Sequence, residues 1–166
     1  MVNQTPRLGA PYIISTQSQK EVTHNMALNM LDALVQPVVE TAGLSVPPVS
    51  PFEGGLWLVA GVATGEWLGH DGEIAQYIGG VWQFHVPFEG MQFWLNDDAM
   101  VAQYRSGMWH IGIVTANKLE VSGQQVVGPQ QPAVGDAAGG ATIDIEARVA
   151  LNDLLAVCRS HGLIAP

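Results

Sequence analysis

The strongest constraint on this chain is that its middle is written twice. "IAQYIGGVWQF", Ile74 to Phe84, returns as "VAQYRSGMWHI", Val101 to Ile111, and the segments ahead also match, "PFEGGLWLV" from Pro51 and "PFEGMQFWL" from Pro87. A two-residue primed turn at Gly79 and Gly80 sets Ile78 opposite Val81, Tyr77 opposite Trp82, Gln76 opposite Gln83 and Ala75 opposite Phe84. Ser106 and Gly107 do the same for Arg105 with Met108, Tyr104 with Trp109, Gln103 with His110 and Ala102 with Ile111. Because side chains alternate along a strand, Ala75, Tyr77, Trp82 and Phe84 share one face, matched by Ala102, Tyr104, Trp109 and Ile111. That repeated aromatic face is expected to be core. The opposite face, with Gln76, Gln83 and His85 in one copy and Gln103, Arg105 and His110 in the other, is expected to be wet.

Helical periodicity flanks the duplication. From about Thr16 to Val39, Val22, Met26, Met30 and Leu34 recur every four residues beside Ala27, Leu31 and Val35, which predicts an amphipathic helix ending near Pro37. Two capping boxes compete for its start, Thr16 with Gln19 and Ser18 with Glu21. "SVPPVSP", Ser45 to Pro51, reads as an extended linker. "GPQQPAVGDAAGGA", Gly128 to Ala141, has no period and reads as a flexible loop. A second helix follows, capped by Asp144 and closed by Gly162 in the left-handed position, with Leu163 completing a Schellman contact. The fold class expected is α+β: an N-terminal helical segment (1–44), a small duplicated antiparallel β-domain (45–127), and a loop with a C-terminal helix (128–166).

Composition narrows the function. With 48% hydrophobic residues the 166-residue chain can build a core. A net charge of −9 with only 6 basic residues argues against nucleic acid and anionic membranes, because phosphate binding draws on clustered Lys and Arg. No apolar leader or membrane-spanning run is read in the sequence, so membrane insertion is not expected. Cys158 is the single cysteine, which rules out an intrachain disulfide and a Cys-based zinc site. Enzyme signatures such as GxSxG, HExxH, a P-loop or GxGxxG after a strand are absent. Neither enzymatic activity nor a cofactor is expected, and "GHDGE", with His70, Asp71 and Glu73, reads as turn chemistry in preference to a metal site. The candidate ligand-binding residues are Trp67, which sits among glycines and charges and is a candidate for exposure, with His70, Gln83, His85, Gln103, Arg105 and His110.

Three long stretches carry a resemblance: "QSQKEVTHNMALNMLDALVQPVV" (Gln17–Val39), the core from "PPVSPFEGGLWLV" (Pro47–Val59) through "ATGEWLGHDGEIAQYIGGVWQFHVPFEG" (Ala63–Gly90), and "GGATIDIEARVALNDLLAVCRSHGLIA" (Gly139–Ala165). Together they resemble an uncharacterised family, a domain of unknown function, found in tailed phages, prophages and gene transfer agents of alphaproteobacteria. The resemblance implies a virion component of the tail-fibre or head-spike type that contacts other head or tail proteins and the host surface, with no catalytic motif to carry over. Surplus apolar helix surface adds the expectation of a homo-oligomer, with a trimer as the first choice. The host partner expected is a surface polysaccharide. The competing reading is a capsid decoration, vertex or tail adaptor protein without a receptor.

Overall fold

The computed structural model describes residues 4–8, 10, 12–13, 20–142 and 144–166. The proposed capping boxes at Thr16 and Ser18 lie outside these residues. Residues 1–113 form one compact unit and residues 114–166 a second. The α+β class holds, with one helix on either side of a largely antiparallel β-region.

Helix α1 spans Lys20–Leu34. It ends before Pro37 because Gln36 adopts a left-handed backbone (φ 46°) and because Arg7 takes over the last carbonyls. The Arg7 guanidinium donates to the carbonyls of Asp32, Ala33 and Gln36, while the carboxylate of the fully buried Asp32 accepts the backbone N–H groups of Arg7 and Leu8. Val38–Val39, just past the expected helix end near Pro37, form strand β1.

Each copy of the repeat is a three-stranded antiparallel sheet. In the first, β2 (Leu56–Leu58), β3 (Ile74–Ile78) and β4 (Val81–His85) pair in that order. In the second, β5 (Gln92–Leu95), β6 (Met100–Arg105) and β7 (Met108–Ile111) repeat it, with β1 added in parallel along β5. Every cross-strand pair expected from the two glycine turns is present. Both turns have the two positive φ angles of a primed type I turn, at Gly79 and Gly80 (61° and 81°) and at Ser106 and Gly107 (52° and 79°).

The repeated "PFEG" explains itself in hydrogen bonds. Glu53 accepts the N–H of Gly79 at 2.7 Å, and Glu89 accepts the N–H of Ser106 at 2.9 Å, so each glutamate braces the hairpin turn of its own copy. Gly54 and Gly90, both at positive φ, donate to the carbonyls of Tyr77 and Tyr104. The same letters recur because the same bonds recur.

The copies stack in one direction, unlike face against unlike face. The aromatic face of the second copy (Phe93, Ala102, Tyr104, Trp109, Ile111) packs on the opposite face of the first (Leu56, Leu58, Ile74), with Ala33 and Val39 completing that core. Trp109 also donates its indole N–H to the Gly72 carbonyl at 2.8 Å. The first copy's aromatic face (Trp57, Ala75, Tyr77, Trp82, Phe84) builds a second core with Ala63 and Trp67. The first copy is therefore covered on both faces. This corrects the expectation of a wet face there: Gln76 and His85 are buried because the second copy lies over them.

The proline-rich stretch belongs to the first unit, where Leu44 bridges to Val59 and Ser45 accepts the N–H of Thr64. The second unit holds the hairpin β8 (Leu119–Val121) and β9 (Gln124–Val127) with helix α2 (Ile145–Ser160). Asp144 caps α2 by accepting the Ala147 N–H, and Gly162 (φ 70°) closes it with Leu163 donating to Cys158. The segment expected to be loose is strapped to α2: Arg148 donates to the Gly139 carbonyl, Asn152 accepts the Ala137 N–H, and Arg159 bonds Asp136 and the Val134 carbonyl. It lacks a hydrophobic period because polar side chains hold its backbone.

Candidate functional site

The seven candidate residues separate into two groups. Trp67 is fully buried in a short 3₁₀ turn (Gly65–Trp67), with its ring edge-on to Trp82 at 5.2 Å, so it is a core residue and not an exposed stacking surface. The glycines around it shape the turn that tucks it in, and Gly65 has φ 66°. His85 is buried, with its Nε2 3.1 Å from Gln76 Oε1, and burial lowers its pKa below the ordinary histidine value. Gln83 pairs with Gln76 on the same covered face and is half-buried. The His70 ring stacks flat on Phe84 (centroids 3.5 Å, 2°) and Nδ1 lies 2.8 Å from Glu73 Oε2. These four residues form no common surface.

Gln103, Arg105 and His110 do come together. They lie on the outward face of the second copy, with Gln103 opposite both Gln92 and His110, and Arg105 opposite Met108. The seven candidates leave out an aromatic residue that shares this face, at its β1 end beside Val38 and Val101. Trp94, opposite Val101, leaves 42% of its surface exposed. Beside it a shallow groove of about 360 Å³ runs between β5 and the turn into β1, lined by Gln36, Pro37, Gln92, Trp94 and Val101. Trp94 is fixed from behind because its backbone N–H bonds the Pro37 carbonyl at 2.9 Å. The Arg105 Nε is buried and has no hydrogen-bond partner.

The duplication supplies the internal control that reveals this face. Position by position, Leu56, Leu58, Ile74, Gln76, Ile78 and Gln83 of the first copy correspond to Gln92, Trp94, Val101, Gln103, Arg105 and His110 of the second. Where the face is covered, it is aliphatic around Gln76. Where it is open, it carries amides, a guanidinium and an imidazole around Gln103, with the Trp94 indole and Val101 toward the β1 edge. Aligning the copies in register is the signal that sets Trp94, the counterpart of Leu58, apart from the tryptophans of the repeated aromatic face.

A second groove, of about 510 Å³, lies between the copies, with Asp71, Glu73, Tyr104, Met108 and Trp109 among its walls. Its acids are engaged. Asp71 accepts the N–H groups of Val62 and Ala63, both at 2.9 Å, and these bonds hold its carboxyl below the usual carboxylate range. They also secure Val62 at φ 62°, a strained backbone for a β-branched residue. Glu73 pairs with His70.

No helix among the described residues is long and apolar enough to cross a membrane. No curated protein matches the chain. Residues 24–110, just over half of the sequence and running from within α1 to one residue short of the end of β7, match the family described as "Protein of unknown function (DUF2793)", and the chain belongs to that family.

Proposed function

We propose that this protein is a structural component of a phage or phage-like particle, of the tail-fibre or spike type. In this reading it assembles as a homo-oligomer, with a trimer as first choice, beside other head or tail proteins, and touches the polysaccharide of the host surface. The observation that carries the receptor role is the open face of the second copy. An exposed indole beside a shallow groove, on the same sheet face as Gln92, Gln103, Arg105 and His110, has the makeup of a sugar-binding surface. Indole stacks on the apolar face of a pyranose while amides and a guanidinium take its hydroxyls. The overall acidity of the chain favours a neutral or cationic glycan over an acidic one.

No catalysis belongs to this reading. The two acids of the larger groove are held by backbone N–H groups and by His70, which supports structural roles for them. The test is binding of the fluorescently labelled protein to intact host cells and to cells stripped of surface polysaccharide. Binding lost with the polysaccharide supports the receptor role. Absence of binding to either, by a folded oligomer, favours a capsid decoration, vertex or adaptor protein.

A further inference from the structure

The open face of the second copy has an order along it. Outward along β6 come Val101, Gln103 and Arg105, two residues apart. Pairing sets Trp94 beside the first, Gln92 and His110 beside the second, and Met108 beside the third. At about 3.4 Å per residue the indole row and the guanidinium row lie roughly 14 Å apart, more than the length of one sugar ring. None of the outward residues of β5, β6 and β7 is acidic.

Arg105 differs from the other basic side chains the structure describes. Arg7 binds the carbonyls that end α1, Lys118 pairs with Glu120, Arg148 donates to Gly139 and Arg159 pairs with Asp136. Among the described residues the Arg105 side chain has no hydrogen-bond or ion-pair partner, and its Nε is buried. Glu89, which reaches the neighbouring residue, accepts the Ser106 N–H at 2.9 Å instead. The equivalent residue of the first copy is the buried Ile78, so the shared scaffold does not call for a cation here. A buried guanidinium N–H without an acceptor carries an uncompensated desolvation cost, and a carboxylate relieves it through a forked, charge-assisted pair.

We infer that this face binds a mainly neutral glycan bearing an isolated carboxylate: a neutral ring stacks on Trp94, and an acidic sugar further along pairs with Arg105. This names the substrate class of the proposed receptor site and rests on that reading. Gln92, Gln103 and His110 lie between the two anchors, where they meet hydroxyls. Two charge effects act at different ranges. The net charge of −9 repels a polymer charged on every unit, whereas one carboxylate in contact with Arg105 meets the local cation, because more distant acids are screened over about 8 Å at physiological salt.

The test measures binding of the full chain to polysaccharide extracted from the host surface, before and after its carboxylates are reduced to alcohols with carbodiimide and borohydride. Polygalacturonate, charged on every unit, is the third probe. Carboxyl reduction should weaken binding about tenfold or more, and Arg105→Gln should do the same on the untreated polymer with little further effect on the reduced one. Arg105→Lys, which keeps the charge without the fork, should fall between, and circular dichroism checks that both variants fold. Polygalacturonate should bind more weakly than the host polymer. Equal binding before and after reduction, or an Arg105→Gln loss that is the same on both forms, overturns the acidic-sugar assignment and leaves a neutral-glycan receptor standing. Polygalacturonate bound as tightly as the host polymer overturns the isolated charge. Failure of the parent protein to bind either form of the host polymer is the failure of the receptor reading itself, and this inference falls with it.

Discussion

The two copies of the repeat share their turns, their bracing glutamates and their cross-strand register, yet one has two covered faces and the other has one. Equivalent positions diverge accordingly. Leu58 in the covered face becomes Trp94 in the open one, and Ile78 becomes Arg105. Burial, and not backbone, sets the difference. What was retained in both is the scaffold, and what changed is the side facing solvent. The open face combines its polar groups with partly exposed Trp94, Val101 and Met108, a mixed apolar and polar surface.

The contrast can be broken most forcefully at the first copy's own core. Trp67→Ala should destabilise the first unit by about 3–5 kcal/mol, because it empties a fully buried indole site next to Trp57 and Trp82. Urea unfolding followed by tryptophan fluorescence measures this, and a loss below about 1 kcal/mol would contradict the placement of Trp67 in a packed core.

A subtler exchange tests how each copy fits its aromatic. A Cβ at Gly55 would lie 2.4 Å from the Trp57 ring, while the second copy carries Met91 and the smaller Phe93 at the same two positions. Gly55→Met should therefore cost about 1–3 kcal/mol through overpacking, and Trp57→Phe in the same chain should recover part of it. A double-mutant cycle reads the coupling, and strict additivity would refute the steric explanation.

The scaffold itself should respond equally in both copies. Glu53→Ala and Glu89→Ala each remove an acceptor from a turn N–H and should each cost about 1 kcal/mol. Unequal losses would mean that one glutamate serves a role beyond the turn.

The smallest effect is one of pH. His85 is held below its ordinary pKa by burial, so between that lowered value and the ordinary one the unfolded chain binds a proton that the folded chain does not. Its contribution is fully present above the unfolded value and is lost as pH falls toward the folded one. Stability should decline on acidification below about pH 6.5, with a slope from this residue no steeper than about 1.4 kcal/mol per pH unit. His85→Gln should flatten that slope, and an unchanged slope would assign the acid sensitivity elsewhere.

Much of the scaffold was legible from the sequence. The glycine turns determined register, Asp144 and Gly162 marked both ends of α2, and the repeated Tyr–Trp pairs identified the packed face. Stacking direction was not legible, since alternation reveals two faces without saying which neighbour covers each. That gap explains both errors at the site. Gln76 and His85 looked wet because their cover comes from the second copy, further down the chain, and Trp94 was left out of the candidates because alternation alone does not say which copy's face stays open. Trp67 looked exposed for a local reason, because the glycines and Glu66 beside it belong to the outside of a turn whose aromatic points inward. The strap along α2 was hidden too, because side chain–backbone bonds leave no hydrophobic period.

The central claim is that the open face of the second copy is kept for binding. The most direct test compares Trp94→Ala with the parent protein in two readings, host-polysaccharide binding and thermal stability. The account predicts at least about a tenfold loss of binding, equivalent to about 1.4 kcal/mol, with the melting temperature little changed. Binding that survives the substitution, or a melting temperature that falls as it does for Trp67→Ala, would contradict it.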